Sequence, residues 1–347
     1  MTRTTPPRPI AVTRVVPELA PLARTATRLH PRPGAPTAGD SSVGGPLLWP
    51  TGEPWPHCDG PHDLTVAVDD ALADLRLRRL RAAVRGRRRT PAEQRALGRL
   101  ASAVYPLTSP PTAPQYGSVA MLPVAQLYAR DVPDLPAPAG TDLLQVLWCP
   151  FDHPPEAFMP RTALVWRSSA AVTRVLARPP EPSAVQYDGY LPEPCVLDPE
   201  QVTEYPNPLE LGADLRERLR RADAWAAAGA APDDPGAPVL ESVYRGELSV
   251  APGWKVGGWP QWGPTDPVAR PCPACGTGMD PLLTIATFEW DAGTRSWIPN
   301  EAEAAAPSPH SGFDPRMPTK VQIASGYQQQ LYVCPADPRH PHTELMQ

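Results

Sequence analysis

Cysteine and histidine residues recur in both halves of this sequence at spacings that suit metal ligands. In the second half, Cys272 and Cys275 form a Cys-x-x-Cys pair, and Cys334 follows downstream. Zinc ribbons bind their ion tetrahedrally through thiolates and imidazoles, beginning with two thiols on one tight turn. Gly276, directly after the second thiol, suits the left-handed backbone of such a turn. The pattern predicts a structural zinc site with the ligands Cys272, Cys275, Cys334 and His340.

The fourth ligand and the role of the thiols are open at this stage. Asp337 and His342 are alternatives to His340, which is favoured because imidazole is the commoner zinc partner of thiolates. The cysteines also suit apolar packing, since free cysteine is among the most buried residue types. A redox role is a third interpretation, but redox Cys-x-x-Cys pairs lie between a strand and a helix, and a strand is predicted to follow here.

The first half offers an equivalent group of ligands. Cys58-x-x-x-His62 is followed downstream by Cys149-x-x-x-His153. Cys-x-x-x-His pairs arise by chance, so this spacing is less specific than that of the second half. The internal symmetry supports a second metal site formed by Cys58, His62, Cys149 and His153. The alternative is a degenerate copy in which these side chains only pack.

Other residues repeat together with the ligands. A Gly-Gly element precedes a tryptophan in each half, at Gly44-Gly45 and at Gly257-Gly258, and each half later has an apolar run that ends in Cys-Pro. Neither Gly-Gly element has the Gly-Lys-Ser/Thr ending of a phosphate loop. An internal repeat makes the repeated segment the unit of folding, so two related half-domains are predicted.

Composition favours a soluble, β-rich protein of the cytoplasm. The 347 residues include 52 prolines and ten tryptophans, which favours short strands and turns around a core over long helices. No segment approaches the roughly 20 apolar residues of a membrane span, and the N-terminus lacks the apolar region of a secretory signal. Cys-x-x-Cys in such a chain favours metal over disulfides. The net charge of -5 argues against a polyanion as partner of the whole surface.

We predict an α+β fold, rich in β structure, with two half-domains of short antiparallel strands. A disordered tail is expected over residues 1–16, the first half-domain over 17–180, a linker with a connecting helix over 181–238, and the second half-domain over 239–347. The first half contains an insertion at about residues 69–100, with ten arginines against four acidic residues. Its apolar residues recur at helical spacing, which predicts a helical hairpin.

Individual elements follow from local patterns. Thr90-Pro91-Ala92-Glu93 predicts the start of the second helix of the hairpin, with Thr90 as N-cap. Apolar stripes predict a short helix over residues 18–29 and one continuous helix over 208–228. Short runs of alternating apolar residues predict strands at 119–128, 143–148, 163–166, 282–288, 320–323 and 331–333.

These features favour a non-enzymatic function. The chain has neither a Gly-x-Ser-x-Gly elbow nor a His-Glu-x-x-His helix, so no hydrolase motif stands out. The favoured hypothesis is a protein-binding scaffold, chaperone-like or an immunity or antitoxin partner, stabilised by zinc. The alternative is a metal-dependent hydrolase that keeps an open position at the first-half site. A third hypothesis is nucleic-acid binding through the Arg-rich hairpin.

The sequence resembles a family of unknown function, the YwqG-like family, over roughly residues 17–347. The resemblance rests on Ser41 to Pro46, on Gln126-Leu127 followed by Asp131-Val132-Pro133, and on Gly140 to Trp148. It is nearest to the actinobacterial branch that carries Cys and His. Ser42 stands where the family usually has Lys, whereas Lys255 restores that pattern in the second half.

The second half is also similar to programmed cell death protein 2 and its relatives. Lys255 to Trp262, then Cys272-x-x-Cys275, then an apolar strand that ends in Cys334 carry this distant resemblance. Those relatives are dedicated chaperones of a ribosomal protein. The resemblance implies a duplicated β-rich scaffold with surfaces that hold another protein, and it leaves the identity of that protein open.

Overall fold

The computed structural model of the chain describes residues 2–62, 70–104, 117–153, 157–229, 240–303 and 314–347. In these ranges it has helices and antiparallel sheets, as predicted for an α+β fold. None of the helices in these ranges is long and apolar enough to cross a membrane.

Fourteen strands form two six-stranded sheets and one two-stranded ladder in the described residues. The strands are β1 Arg24–Arg28, β2 Arg32–Pro33, β3 Ser42–Val43, β4 His57–Cys58, β5 Val119–Ala120, β6 Leu122–Tyr128, β7 Leu143–His153, β8 Ala157–Arg167, β9 Cys195–Val196, β10 Glu200–Glu204, β11 Lys255–Gly257, β12 Asp280–Ala286, β13 Gln328–Val333 and β14 Thr343–Met346. Sheet 1 has the order β2-β9-β3-β6-β7-β8, and sheet 2 has the order β10-β1-β11-β12-β13-β14.

The helices are short except for the two of the insertion. They are α1 Val12–Val15, α2 Asp70–Ala83, α3 Pro91–Val104, α4 Ala213–Arg220, α5 Ala222–Ala227, α6 Leu240–Val243 and α7 Asn300–Glu303. Single turns of 3-10 helix lie at Ser169–Ala171, Asp188–Tyr190, Pro208–Glu210 and Arg295–Trp297, with a longer 3-10 segment at Pro17–Leu22 and a π-helix at Tyr244–Ser249.

The two sheets have the same architecture, position by position. Strands β3, β6, β7 and β8 in sheet 1 correspond to β11, β12, β13 and β14 in sheet 2. Both sheets have an irregularity next to an equivalent proline, at Pro123 between β6 and β7 and at Pro281 between β12 and β13. The largest core cluster of the described residues contains side chains of both sheets, including Val146 and Trp148 of β7 and Leu283 and Leu331 of sheet 2. The two halves therefore share one core.

The first strand of each half is exchanged between the sheets. Strand β1 pairs with β10 and β11 in sheet 2, although the strands that follow it, β2 and β3, belong to sheet 1. Strand β9 does the reverse, since it pairs with β2 and β3 of sheet 1 before the chain continues into sheet 2. Each sheet is thus completed by a strand from the other half.

The first glycines of the two Gly-Gly elements have similar backbones, whereas the second glycines differ, since Gly258 has a φ of 72° and Gly45 has no positive φ. Gly44 and Gly257 have φ values of 61° and 69°, a region that glycine adopts without strain. The surroundings differ: Lys255 forms a fully buried ion pair with Glu204 at 2.7 Å, beside Gly258. Ser42 occupies the place of Lys255 in sheet 1, where it pairs with β6 as Lys255 pairs with β12. Both Gly-Gly elements shape the backbone, and the second also lies beside the buried Lys255–Glu204 ion pair.

The insertion folds as the predicted helical hairpin. Helices α2 and α3 pack against each other, and Thr90 caps α3 as expected. The Thr90 Oγ1 accepts a hydrogen bond from the Glu93 amide at 3.2 Å, and a Glu93 carboxylate oxygen accepts one from the Thr90 amide at 2.8 Å. This reciprocal pair satisfies two amides at the helix start. Residue 69 of the predicted insertion lies outside the described residues.

Several local predictions differ from the structure. The tail expected to be disordered over residues 1–16 is packed in its described part: Val12 and Val15 of α1 lie in a core cluster with Trp225 and Tyr244. The helix predicted over residues 18–29 is a 3-10 segment followed by β1, because β1 gains partners on both sides. Residues 320–323 contribute only an isolated bridge at Ile323.

The segment predicted as linker and connecting helix also differs. It contains β9 and β10, which are integral strands of the two sheets. The helix predicted over residues 208–228 is divided into α4 and α5 at Arg221, which has an extended backbone. The division lets the Trp225 side chain turn inward, where its indole nitrogen donates to the Leu219 carbonyl at 2.8 Å. Residues 230–238 of this segment lie outside the described residues.

Candidate metal centres

The structure brings the four first-half residues together. The ligand atoms of Cys58, His62, Cys149 and His153 all lie within 4.8 Å of one another, and this set is called the first cluster below. Cys58 lies in β4 and is held by pairing with Val119 of β5, whereas Cys149 and His153 belong to β7. The Cys58 Sγ is 3.2 Å from His153 Nε2. Tetrahedral zinc with bonds of about 2.0–2.3 Å places its ligand atoms roughly 3.3–3.8 Å apart, which is close to this separation.

An irregularity in β7 makes the first cluster geometrically feasible. Residues four apart in a regular strand are separated by about 13 Å, at roughly 3.3 Å per residue. The pairing of β7 with β8 shifts between Trp148 and Asp152 and again at His153. Such bulges bend a strand and re-aim its side chains. Cys149 and His153 therefore reach the same point although both lie in one strand.

Hydrogen bonds inside the first cluster converge on one sulfur. Contacts from Cys149, His153, the Gly60 backbone and His62 lower the pKa of the Cys58 thiol to about 3. The contact with Cys58 and burial raise the pKa of Cys149. The cluster thus favours negative charge at its centre, where a cation would be stabilised.

Two buried nitrogens of the first cluster have no hydrogen-bond partner among the described residues, His62 Nε2 and His153 Nδ1. Buried polar atoms are nearly always satisfied, so the orphaned His62 Nε2 calls for an explanation, whereas His153 already faces the Cys58 Sγ through its other nitrogen, Nε2. The donor set of two thiols and two imidazoles is one that structural zinc sites use. These residues fit a bound metal ion, which one nitrogen of each ring would contact.

The second cluster contains the residues predicted in the second half. The ligand atoms of Cys272, Cys275, Cys334 and His340 also lie within 4.8 Å of one another. The Cys272 Sγ is 3.6 Å from His340 Nδ1, and the Cys275 Sγ is 3.5 Å from the Cys334 Sγ. Both separations match the edges of a zinc tetrahedron.

A tight turn brings the two thiols of the Cys-x-x-Cys pair close to each other. The Gly276 amide donates to the Cys272 carbonyl at 2.8 Å, and the Cys272 amide donates to the Thr277 carbonyl at 2.8 Å. Gly276 has a φ of 74°, the left-handed conformation expected from the sequence. Cys334 follows β13 directly, so the sheet positions the third thiol.

Three residues were considered as the fourth ligand of the second cluster. Of these, His340 lies next to the three thiols. His342 lies elsewhere, with Nε2 2.8 Å from Thr162 Oγ1 and 3.4 Å from a Glu344 carboxylate oxygen. The Asp337 carboxylate accepts a hydrogen bond from the Arg339 amide at 2.9 Å, which shapes the loop that carries His340.

The two clusters differ in exposure and charge. Three residues of the first cluster are buried, whereas Cys275 of the second is exposed. Hydrogen bonds from Thr277 lower the pKa of Cys275 to about 6, while burial raises the pKa of Cys334. All six cysteines of the chain are free thiols, and the sixth, Cys195, lies outside both clusters in β9.

The backbone around the two clusters is equivalent. His57 pairs with Ala120 beside the first cluster, and Pro271 bridges to Gly278 beside the second. In both halves the bridge is followed three residues later by the proline of the sheet irregularity, Pro123 or Pro281. The clusters therefore lie at corresponding positions beside the two sheets.

The loop that carries His340 also joins the two sheets. The Trp166 indole of β8 donates to the Pro338 carbonyl at 3.1 Å, and Arg339 donates to the Ala139 carbonyl at 2.9 Å. The Thr162 amide of β8 donates to the Glu344 carboxylate at 2.7 Å. Sequence analysis missed these residues, because no local pattern marks a contact between distant segments. The same is true of Glu204, the partner of Lys255.

No protein-family model matches the chain, and no curated protein matches it at a significant level. The chemistry of the two clusters and their geometry therefore carry the functional argument.

Proposed function

We propose that this protein is a non-enzymatic protein-binding scaffold in which a structural zinc ion stabilises each half-domain. The observation that carries the metal assignment is the pair of four-residue clusters, Cys2His2 and Cys3His, whose ligand atoms all lie within 4.8 Å of one another. Thiolate-rich sets of four favour zinc over hard cations, which take oxygen ligands. Structural zinc sites are closed by four protein ligands.

The completeness of the donor sets supports a structural over a catalytic metal. A catalytic zinc keeps one position for water or substrate and uses three protein ligands. The first cluster, considered above for a hydrolase, offers four protein donors, and Cys58, Cys149 and His153 are buried. Four donors around one ion leave that ion without an open position.

The scaffold role is supported by two further points. The distant resemblance of the second half to programmed cell death protein 2 suggests that exposed surfaces hold another protein. Exposed large apolar side chains, of which Phe158 is 61% exposed, are available for such contacts. Six free cysteines support a reducing compartment such as the cytoplasm.

Metal analysis of tag-free protein tests the zinc assignment. We expect about two zinc per chain, falling to about one in Cys275→Ser and staying at two in Cys195→Ala, which removes the thiol outside both clusters. X-ray absorption should show about 2.5 sulfurs and 1.5 nitrogens per zinc, at about 2.3 Å and 2.0–2.1 Å, and no bound water. Absence of zinc, or an oxygen ligand that exchanges with water, would overturn the structural assignment.

Binding of another protein is tested separately. Cross-linking mass spectrometry in the native host, with the zinc-loaded chain tagged at its C-terminus, should identify one protein that is enriched reproducibly. That protein, purified, should bind the full chain with a defined stoichiometry in isothermal titration calorimetry. Failure of every cross-linked candidate to bind in purified form would contradict the scaffold role, whatever the zinc content.

A further inference from the structure

The helical hairpin α2–α3 contributes no strand to either sheet and no ligand to either cluster. The hairpin lies in the segment between Cys58 and Val119, and these two residues are paired neighbours in β4 and β5. In the second half, the equivalent bridge joins Pro271 and Gly278 through one tight turn. The same frame and the same kind of cluster therefore form without a hairpin. The side of the hairpin that faces away from the core is therefore available for another function.

Several arginines of α2 are neutralised by the protein itself. Arg78 is buried and contacts Asp74 and the Leu191 carbonyl. Arg76 forms an ion pair with Glu181 at 2.6 Å. These pairs fix α2 to the body of the protein, where Leu75 and Ala71 belong to the shared core.

Most arginines on the outer side have no such partners. Arg87 pairs with Glu93, which uses the one acidic residue of α3. Five exposed arginines form no ion pair with any residue in the described ranges: Arg81, Arg88, Arg89, Arg95 and Arg99. At the turn between the helices, arginines line an open cavity of about 560 Å³. The end of the hairpin is therefore a surface of uncompensated positive charge on a protein of net charge -5.

The outer face of α3 carries charge without apolar area. Arg95 and Arg99 are four residues apart and so share one face of the helix, opposite Leu97 and Leu100. The exposed neighbours on that side are small: Ala92, Gly98, Ser102 and Ala103. The sequence from 70 to 104 contains no Phe, Tyr or Trp. Bases of a single strand would find no aromatic side chain on which to stack.

We propose that the outer face of this hairpin binds the phosphate backbone of double-helical nucleic acid, independently of base sequence. Exposed ion pairs with an acidic protein are worth only about 0–1 kcal/mol each, and the outer face adds little apolar burial to them. A nucleic-acid duplex instead releases its condensed counterions to arginines, so charge alone gives affinity. Guanidinium groups suit phosphate because their planar donors match its oxygens. This proposal is independent of the scaffold role and of the zinc assignment.

Fluorescence anisotropy with the zinc-loaded full chain tests the proposal. The probes are labelled 20-base-pair DNA and RNA duplexes, the corresponding single strand, and a 20-residue polyglutamate peptide. We expect both duplexes to bind at 50 mM salt with Kd in the micromolar range, and five phosphate contacts to give a slope of log K against log salt near about -4.5. A preference for one duplex would identify it as the ligand.

Paired variants assign the binding to the hairpin. Arg95→Glu with Arg99→Glu should weaken duplex binding by at least about 30-fold, and the two alanine substitutions should reduce the salt slope by about 2. The control replaces Arg14 and Arg245 by Glu, since both are exposed, unpaired within the described residues and outside the hairpin. It changes the net charge equally and should alter binding less than about threefold. Zinc content and melting temperature should be unchanged in the hairpin variants, because α3 has no buried residue over 91–103, and they are measured for the control as well.

Other outcomes overturn the proposal. Tighter binding of polyglutamate than of either duplex would assign the surface to an acidic protein. Preference for the single strand would exclude duplex recognition. Equal losses in the hairpin variant and the control would reduce the effect to net charge.

Discussion

The two clusters occupy equivalent places in the two half-domains, yet their surroundings differ. The first cluster is backed by a core that includes Trp49, Trp55 and Phe151. His62 adds ring contacts with Phe151 and His153 at 5.1 and 5.4 Å. The second cluster is backed by a small group, in which Met279 and Tyr332 accompany Cys272 and Cys334. Where apolar burial is small, a metal ion must supply more of the local folding free energy.

The largest expected effect is at the exposed thiol of the second cluster. Cys275→Ser should lower the free energy of unfolding by more than about 5 kcal/mol, because the loss of a metal site is among the few mechanisms that produce such large changes. A surface thiol without a metal would cost at most about 0.5 kcal/mol on substitution. Urea unfolding with metal analysis measures both.

The matched control for this comparison is in the first cluster. His62→Asn removes a half-buried ligand whose position is also held by packing against Phe151. It should cost less than Cys275→Ser, although one zinc is lost in each. Equal costs would show that the two clusters contribute equally and that the surrounding core does not matter.

A second contrast separates the Gly-Gly elements. Glu204 accepts hydrogen bonds from the Ala251 and Trp259 amides as well as from Lys255. Lys255→Met should cost about 3–5 kcal/mol, since it leaves a buried carboxylate without its cation. Adding Glu204→Gln should recover most of this loss, because the amide oxygen still accepts from the backbone. Chemical unfolding of the two single variants and the double variant measures the coupling.

The pH dependence of the Lys255→Met variant provides a check. Burial raises the pKa of a carboxyl that has lost its cation, so the folded state takes up a proton before the unfolded state does. The destabilisation should therefore shrink as pH falls from 7 towards the ordinary pKa of Glu, about 4.3. A cost that is independent of pH would contradict an unpaired carboxylate as its cause.

The smallest expected difference is between two equivalent glutamines. Gln145 donates to the Leu48 carbonyl, and Gln330 donates to the equivalent Gln261 carbonyl. Substitution by Leu should cost about 1–3 kcal/mol in each case, because a half-buried carbonyl loses its donor. Gln145→Leu should cost more, since Gln145 also accepts from the charged Arg167. If thermal unfolding shows that Gln330→Leu destabilises the protein more than Gln145→Leu, the contact with Arg167 does not determine the difference between the two glutamines.

The sequence predicted the clusters better than it predicted the topology. Cys272, Cys275, Cys334 and His340 were predictable because metal ligands come in few types and because a tight turn has a readable spacing. The repeat added the first cluster, which spacing alone would have left ambiguous. The capping box at Thr90 was predictable for the same reason, since its partners lie three residues apart.

The errors arose where distant segments decide local structure. A helical stripe is formed in the sequence by Leu19, Leu22, Ala26 and Leu29. In the structure, residues 24–28 instead form a strand that pairs with β10 and β11, which lie far along the chain. Tertiary pairing overrides local periodicity in such a case. Strand β9 was missed because it has only two residues, and β10 because Val202 is its only apolar residue. Register between distant strands leaves no local mark.

The exchange of β1 has a consequence for the synthesis of the chain. This strand leaves the ribosome well before its partners, which begin at Glu200 and Lys255. Until then both of its edges lack their native neighbours, and unpaired edges invite association with other chains. Charged residues flanking such a segment oppose that association. Arg24 and Arg28 lie at the two ends of β1. Their charges oppose association of β1 with other chains until its partner strands have been synthesised.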